Sequence, residues 1–241
     1  MKRILKGAAL TLAACCALGF AACNGAENEP TKLYSPYYEE DLQTITFVDM
    51  TQSLTLDMSA NTYLKDLLLQ ADYYEYTPSQ DEVAQVKYAL QFADVELQIF
   101  SAGLVRFVYA NEEETEWTVA QVENEEFSYL DTILTGGEVA FDGYTAEQTI
   151  TVKNGENNDG TISDKENFLA TLADMRFIKV SNKTHYQTGS VRYTLTIGEE
   201  NILFYDNYAS KNGELYILSQ GDYEFLKALQ YGFSSDWLPW L

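Results

Sequence analysis

The chain has 241 residues, of which 37 are acidic and 15 basic, so its formal net charge is −22. A field of this sign repels the phosphates of nucleic acids and of anionic lipids, so we expect no nucleic-acid partner. The three cysteines are Cys15, Cys16 and Cys23. Because all of them lie near the N-terminus, a domain formed by the later residues depends on packing rather than on disulfides.

The first 23 residues have the three zones of an export signal. Lys2, Arg3 and Lys6 precede an apolar stretch over residues 7–22, and the chain turns polar at Asn24. The apolar stretch is about 16 residues long, whereas a membrane-spanning helix needs about 20. The pattern therefore favours a cleaved signal over a retained transmembrane anchor.

Cys23 follows two alanines at the end of this apolar stretch. This arrangement resembles the lipobox of bacterial type II signal peptides. The resemblance implies cleavage before Cys23 and a diacylglycerol on its thiol. Cys15, after Leu12-Ala13-Ala14, fits the consensus better, but cleavage there would leave a hydrophobic start, so we favour Cys23. Cleavage at Cys23 removes three basic residues and no acidic ones, which makes the net charge −25.

An internal repeat extends over the rest of the chain. At an offset of 105 residues, 45–47 (ITF) matches 150–152 (ITV), and 86–90 (VKYAL) matches 191–195 (VRYTL). The offset later falls to 96, so the first copy contains about nine extra residues, which we place around 105–116. We predict four regions: the signal 1–23, a polar tether 24–40, a first copy 41–135, and a second copy 145–241 with an aromatic C-terminal tail.

Each copy has the same predicted plan. Two short strands precede a helix, and strands with alternating apolar residues follow. A second helix ends each copy, near 124–134 in the first and near 221–231 in the second. Alternation indicates sheets with one buried and one solvated face, which helices can cover. We predict an α+β fold of two tandem strand-strand-helix-strands-helix units, with antiparallel sheets covered on one face by helices.

The segment 155–166 (GENNDGTISDKE) resembles the calcium loop of EF-hands. The resemblance departs at position 1, which is Gly155, and residues 148–153 before it have a strand pattern rather than a helical one. The alternative is a hairpin rich in Gly and Asn, followed by a helix capped by residues 163–166. We predict no other cofactor. The candidate calcium ligands are Asn157, Asp159, Thr161 (through its carbonyl), Ser163 and Glu166.

Residues for catalysis are few. His185 is the only histidine, and its polar neighbours favour a solvated loop over a role in a Ser-His-Asp triad. A zinc site of several His and Cys residues is excluded after signal cleavage. Paired carboxylates are able to hydrolyse glycosides, yet no pair stands out among the 37 acidic residues.

The lipobox at Cys23, the polar tether and the repeated unit together resemble small, uncharacterised lipoproteins of Gram-positive bacteria. The resemblance implies an extracytoplasmic protein that is lipid-anchored to the cell membrane. The 18 tyrosines suit recognition of a protein or a glycan. We therefore expect a non-catalytic binding module with such a surface partner. The alternatives are a carboxylate-based extracytoplasmic hydrolase and a calcium-dependent adhesion or structural domain.

Overall fold

The structure is a computed structural model that describes residues 31–109, 118–154, 159–162 and 164–219. The described residues from Lys32 to Ser219 belong to one compact unit. Two antiparallel sheets account for most of the described secondary structure, and the helices are short and few. The α+β prediction is thus confirmed only in its coarse form, since strands dominate.

The first sheet contains, among the described residues, eight strands in the order β1-β4-β8-β7-β6-β5-β2-β3. Strands β5 to β8 are its longest and form its centre. Their bounds are β1 (Lys32–Leu33), β2 (Thr46–Asp49), β3 (Leu54–Asp57), β4 (Tyr73–Glu75), β5 (Tyr88–Phe92), β6 (Val95–Ser101), β7 (Leu104–Tyr109) and β8 (Thr118–Val122).

The second sheet also contains eight strands within the described ranges, in the order β11-β10-β13-β14-β15-β16-β12-β9. When the first order is read from β3 and the second from β11, the two orders match. Each strand of the second sheet takes the place of the strand eight numbers earlier in the first sheet. Their bounds are β9 (Glu138–Val139), β10 (Ile150–Asn154), β11 (Asp159–Thr161), β12 (Phe177–Lys179), β13 (Tyr193–Ile197), β14 (Glu200–Phe204), β15 (Tyr208–Lys211) and β16 (Glu214–Leu218).

Strand spacing follows the two sequence offsets. Strands β5 and β13 begin 105 residues apart, whereas β8 and β16 begin 96 residues apart. The difference arises at one connection. Strands β15 and β16 are joined by Asn212 and Gly213, whose positive φ angles of 53° and 78° suit a tight hairpin turn. The longer connection from β7 to β8 includes residues 110–117, which lie outside the described residues.

The described α-helices are α1 (Thr62–Gln70), α2 (Leu130–Ile133) and α3 (Lys165–Asp174). The side chain of Asn61 caps α1 by accepting from the Leu64 amide, and Asp164 caps α3 by accepting from the Asn167 amide. The predicted helix near 124–134 is mostly a 3-10 helix, Glu123–Tyr129, which leads into α2. The predicted helix near 221–231 lies outside the described residues.

The folded part includes residues that the sequence assigns to the tether. Strand β1 pairs with β4, with Leu33 opposite Tyr73. Tyr37 is only 2 % exposed, and a 3-10 helix at Glu39–Gln43 follows it. The folded region therefore begins before residue 41. A two-residue strand carries too little periodicity to be recognised in a sequence.

The larger hydrophobic core joins the two halves of the chain. Leu64 and Leu68 of α1 pack in it together with inward residues of the first sheet, such as Phe47 and Leu97. A smaller core combines residues of α3, such as Leu172, with inward residues of the second sheet. Five buried residues from the second half belong to the larger core: Ile178, Val180, Tyr208, Leu215 and Ile217.

Polar contacts accompany this shared core. The Tyr208 hydroxyl donates to the Asp57 carbonyl at 2.8 Å, and Asn207 donates to the Asp57 carboxylate. The Gln187 amide donates to the Ala60 carbonyl at 2.8 Å. These bonds satisfy backbone and side-chain groups that the contact between the halves removes from water.

We expect Ile217→Ala to lower the free energy of unfolding by about 2–5 kcal/mol, because it leaves a cavity in the shared core. Urea unfolding followed by circular dichroism should still show one transition, since both halves lose the same core. Leu69→Ala, at a position that is 42 % exposed on α1, serves as the control. It should change stability by less than about 0.5 kcal/mol. Two transitions, with only one shifted by Ile217→Ala, would contradict a shared core.

Candidate functional site

An open groove lies on the outward face of the second sheet. The shared core covers this face only at its far side, where Tyr208, Leu215 and Ile217 are buried. The outward side chains of β10, β13 and β14, and of Ser210 in β15, are exposed or half-buried. The groove is lined by Lys153, Thr194, Thr196, Asn201, Leu203, Ser210, Asn212 and Gly213.

Strand alternation places these side chains. In β13, Tyr193, Leu195 and Ile197 are buried in the smaller core. Thr194 and Thr196 therefore point to the other face, as the period of two requires. Register then aligns a row across four strands: Lys153 pairs with Thr194, Thr194 with Leu203, and Leu203 with Ser210.

One hydrogen bond orients the polar groups of the groove. The Thr196 hydroxyl donates to Asn201 Oδ1 at 2.7 Å, across the β13–β14 ladder where the two residues pair. The amide nitrogen of Asn201 remains a donor, and the Thr196 oxygen remains an acceptor. In the part of the chain that the structure describes, the side chains of Thr194, Ser210 and Asn212 form no hydrogen bond with another protein group.

The outward side chains at the corresponding positions of the first sheet form hydrogen bonds with one another. Gln98 donates to Glu96 at 2.5 Å and accepts from Arg106 Nε at 2.8 Å, while Gln91 donates to Glu96 at 3.1 Å. Arg106 also lies over the Phe100 ring, 5.1 Å from its centroid. These side chains therefore satisfy one another, whereas Thr194, Ser210 and Asn212 form no hydrogen bond with another described residue.

Charge also distinguishes the groove. None of the described residues that line it is a carboxylate, although the chain contains 37 acidic residues against 15 basic ones. Among those described lining residues, Lys153 carries the single formal charge. A groove of hydroxyl and amide groups is suited to polar, uncharged ligands, since it offers donors and acceptors without a field of either sign.

His185 lies at the contact between the two halves rather than in a solvated loop. Its ring stacks on Tyr63 at 4.4 Å, and its Nε2 lies 2.9 Å from Asn182 Nδ2. Its Nδ1 lies 3.4 Å from the Tyr129 hydroxyl. Neither contact involves a serine hydroxyl or a carboxylate, so the arrangement is not that of a catalytic triad. The aromatic packing holds the segment after β12 against α1.

Three carboxylates have a pKa that is displaced in the direction opposite to that of a general acid. The pKa of Glu82, of Asp131 and of Glu200 is lowered from its ordinary value. Hydrogen bonds from Lys211 and Tyr144 lower the pKa of Glu200. A glycosidase acid needs the opposite shift, since it must carry a proton near neutral pH.

Lys211 is the centre of the most connected ion pair. Its Nζ lies 2.8 Å from Glu200 and donates to the Tyr144 hydroxyl at 2.6 Å. Tyr144 in turn donates to Glu200 at 2.7 Å. Burial acts to lower the pKa of Lys211, but the contacts with Glu200 and Tyr144 outweigh it and raise that pKa. A protonated amine of this kind is a poor nucleophile, so we assign the cluster a structural role: it connects β14, β15 and the segment before β10.

The candidate calcium ligands fall in three settings. Asp159 and Thr161 belong to β11, whose backbone pairs with β10 as a hairpin, with Asp159 opposite Lys153. Glu166 lies in the first turn of α3 and is exposed. Asn157 and Ser163 lie outside the described residues. The hairpin and the capped helix of the alternative interpretation are thus present, and the calcium site stays a prediction.

Other functional features predicted from sequence are only partly described. Cys23 and the aromatic tail after residue 230 lie outside the described residues. No helix among the described residues has the length and apolar character that crossing a bilayer requires. The same residues contain no group of three or more His, Cys, Asp or Glu side chains able to hold a metal ion.

Tyrosines divide between core and surface. Tyr73, Tyr88 and Tyr208 are buried, and burial raises the pKa of each. Tyr34 and Tyr38 are 97 % and 72 % exposed. Most of the described tyrosines that lie in strands therefore fill the sheets, and the recognition surface suggested by composition is confined to a few side chains.

Comparison with known proteins adds no family or fold neighbour: no protein-family model, curated protein or solved structure matches this chain.

The sequence analysis did not predict the groove, because the alternating apolar residues of β13 indicate only which of its side chains are buried. The signal was the pair Thr194 and Thr196, because the matching positions of β5 are Ala89 and Gln91.

We expect the thermal midpoint of unfolding to be the same in calcium and in EDTA. The backbone of β11 is committed to pairing with β10, which opposes the wrapping of a loop around an ion. Differential scanning calorimetry of wild type and Glu166→Gln tests this. A calcium-dependent rise of several degrees that Glu166→Gln abolishes would instead establish the loop as a site.

Lys211→Met should raise the pKa of Glu200 towards its ordinary value of 4.5 by removing the strongest interaction that lowers it. Because the folded-state pKa lies below the unfolded one, this interaction stabilises the protein above the unfolded value and is lost as the pH falls through the folded value. Carbon-detected NMR titration of the side-chain carboxyl measures the change. Lys65→Met, on α1, is the charge-matched control, and an equal rise in that variant would contradict the local cause.

Proposed function

We propose that this protein is a lipid-anchored, extracytoplasmic lipoprotein that acts as a non-catalytic binding module for a protein or a glycan. The observation that carries the proposal is the groove on the outward face of the second sheet. Its hydroxyl groups at Thr194 and Ser210 have no protein partner within the described residues, although their strands are hydrogen-bonded to a neighbour on both sides. Accessible polar groups held on a paired sheet favour recognition.

The anchoring part of the proposal rests on the N-terminal sequence. Residues 2–6 are basic in part, residues 7–22 are apolar, and Cys23 ends the stretch in a lipobox. Cleavage there would attach diacylglycerol to Cys23 and place the acidic chain outside the cytoplasm. Two or more acyl chains on one cysteine hold a protein at a membrane firmly, whereas a single chain binds only marginally.

We also infer that the two halves are tandem copies of one unit, each with a helix packed over the inward face of its sheet. The matched strand orders and the strand spacings of 105 and 96 residues support this. Leu68 of α1 and Leu172 of α3 are both fully buried among inward strand residues. On this reading, one copy keeps its outward face self-satisfied and the other keeps it open.

The downward pKa shifts of Glu82, Asp131 and Glu200 support binding over hydrolysis at these three side chains, because a carboxyl with a lowered pKa is ionised near neutral pH and is a poor general acid. The position of His185 supports the same choice. Its ring nitrogens are directed at Asn182 and Tyr129, and neither of these residues is the serine or carboxylate of a Ser-His-Asp triad.

We expect the exported, lipidated chain, purified in detergent, to bind isolated cell envelopes of the producing organism in a saturable manner. Ser210→Glu should weaken this binding about tenfold or more, because it places a desolvated charge on the groove. Ala170→Glu, on the exposed side of α3, adds the same charge elsewhere and should bind as wild type. Co-sedimentation gives the dissociation constants. Binding that is not saturable, or that both variants leave unchanged, would refute the proposal.

A further inference from the structure

We infer that the ligand of the groove is an uncharged glycan that presents vicinal hydroxyl groups to Thr196 and Asn201. The inference rests on the binding function proposed above and specifies the chemical class of the ligand. Three properties of the groove carry it: the paired donor and acceptor, the saturated strand ladders beneath it, and a described lining that consists mainly of hydroxyl and amide side chains, with no carboxylate or aromatic ring among its described residues.

The donor and acceptor lie side by side. Asn201 Oδ1 is occupied by the Thr196 hydroxyl, so the amide nitrogen of Asn201 is the group that can donate to a ligand. The hydroxyl hydrogen of Thr196 is used in the bond to Asn201, so the Thr196 oxygen is the group that can accept a hydrogen bond from a ligand. A hydroxyl both donates and accepts, so two adjacent sugar hydroxyls match this pair, one accepting from Asn201 and the other donating to Thr196.

A peptide cannot add to the sheet at this place. Peptides commonly bind sheets by pairing with the backbone of an edge strand. Strands β10, β13, β14 and β15 each have a neighbour on both sides, so their backbone groups are already paired. A ligand on this face is therefore held by side chains alone.

A folded protein partner also fits poorly. Protein interfaces depend on a few apolar or aromatic anchors that enter pockets on the other side. Among the lining residues only Leu203 has a large apolar side chain, and none is aromatic. One apolar residue amid hydroxyl and amide groups suits the apolar C–H face of a sugar ring, with polar contacts at the ring edge.

Charge determines which glycans fit. The chain carries a net charge of −22, and this field repels polyanions such as nucleic acids or heavily sulfated or phosphorylated polymers. An uncharged glycan meets no such repulsion, and the described lining residues include no carboxylate that would add to it. Lys153 is the single cation among those described lining residues, which is too little to offset the overall field.

The row Lys153–Thr194–Leu203–Ser210 also sets the length of the ligand. Three strand-to-strand steps extend roughly 14 Å at about 4.8 Å each. This length exceeds one sugar ring, so the groove suits a chain of sugars rather than a monosaccharide. Thr194 and Ser210 supply further hydroxyl groups along the same line.

Periodate provides a direct test, since it cleaves the carbon–carbon bond between vicinal hydroxyls. Cell envelopes are treated with periodate, with iodate as the non-oxidising control, or with a protease. Binding of the exported, lipidated chain is then measured by co-sedimentation. Groove-dependent binding is the part of the binding that Ser210→Glu removes. We expect periodate to lower the affinity of this binding about tenfold or more, and protease or iodate to leave it unchanged.

Isosteric variants assign the effect to the groove. Thr196→Val and Asn201→Leu remove the acceptor and the donor, and each should weaken binding to untreated envelopes by about tenfold. Thr46→Val makes the same threonine change on the outward face of the first sheet and should have no effect. Melting temperatures within a few degrees of wild type confirm that the variants are folded.

The outcomes separate this inference from the proposed function. Loss of groove-dependent binding after protease but not after periodate would overturn the glycan inference and leave a binding module for a protein. Periodate-sensitive binding that Thr196→Val and Asn201→Leu leave unchanged would place the glycan elsewhere and overturn the site. Unchanged binding with Ser210→Glu as well would overturn the function itself.

Discussion

The shared hydrophobic core is the constraint on which the rest of the structure depends. The outward face of the second sheet is divided by it: strands β15 and β16 contribute Tyr208, Leu215 and Ile217 to the core of the first half. The opposite face of the same sheet is buried by α3 and by residues such as Phe141. Only the outward surface over β10, β13 and β14 remains open. The groove is thus what a contact that covers part of a sheet face leaves behind.

Such a shared core needs polar groups that fit within it. Asn61 is fully buried, and both ends of its amide are used, since Oδ1 accepts from the Leu64 amide and Nδ2 donates to the Tyr129 hydroxyl. Buried amides without partners cost several kcal/mol, so these two bonds, both within the first half, offset the cost of burying Asn61. Other directional bonds cross between the halves, from the Gln187 amide to the Ala60 carbonyl and from the Tyr208 hydroxyl to the Asp57 carbonyl. His185 and Tyr63 add a stacked pair at the same boundary.

Sequence patterns predicted the periodic elements well and the short ones poorly. The change of offset from 105 to 96 anticipated the longer connection between β7 and β8, since a deletion or insertion leaves a clear mark on a repeat. The apolar spacing at Leu64 and Leu68 correctly predicted the buried side of α1. Strands of two or three residues, such as β1, β4 and β12, have too few alternations to be seen. Their pairing depends on tertiary contacts instead.

The site could not be found in the sequence for a physical reason. Exposed threonines are common on solvated strand faces because β-branched residues suit a pleated surface, so Thr194 and Thr196 are unremarkable when read alone. Their meaning comes from the pairing register, which aligns them with Asn201, Leu203 and Ser210 from other strands. Which part of the face stays open follows from the shared core, and that is a long-range property.

A groove that binds through hydroxyl and amide groups without aromatic stacking gains little free energy from each contact, since every bond replaces one to water. On the proposed function, the lipid anchor at Cys23 compensates for this. If many copies are anchored in one membrane, a polymer with repeated units meets their sites at a high effective concentration. Several weak sites that bind the same polymer at once then attach it firmly. The strong negative charge keeps those crowded copies apart and soluble. On the proposed function, a weak site of mainly hydroxyl and amide groups and a strongly acidic body are therefore compatible features of one molecule.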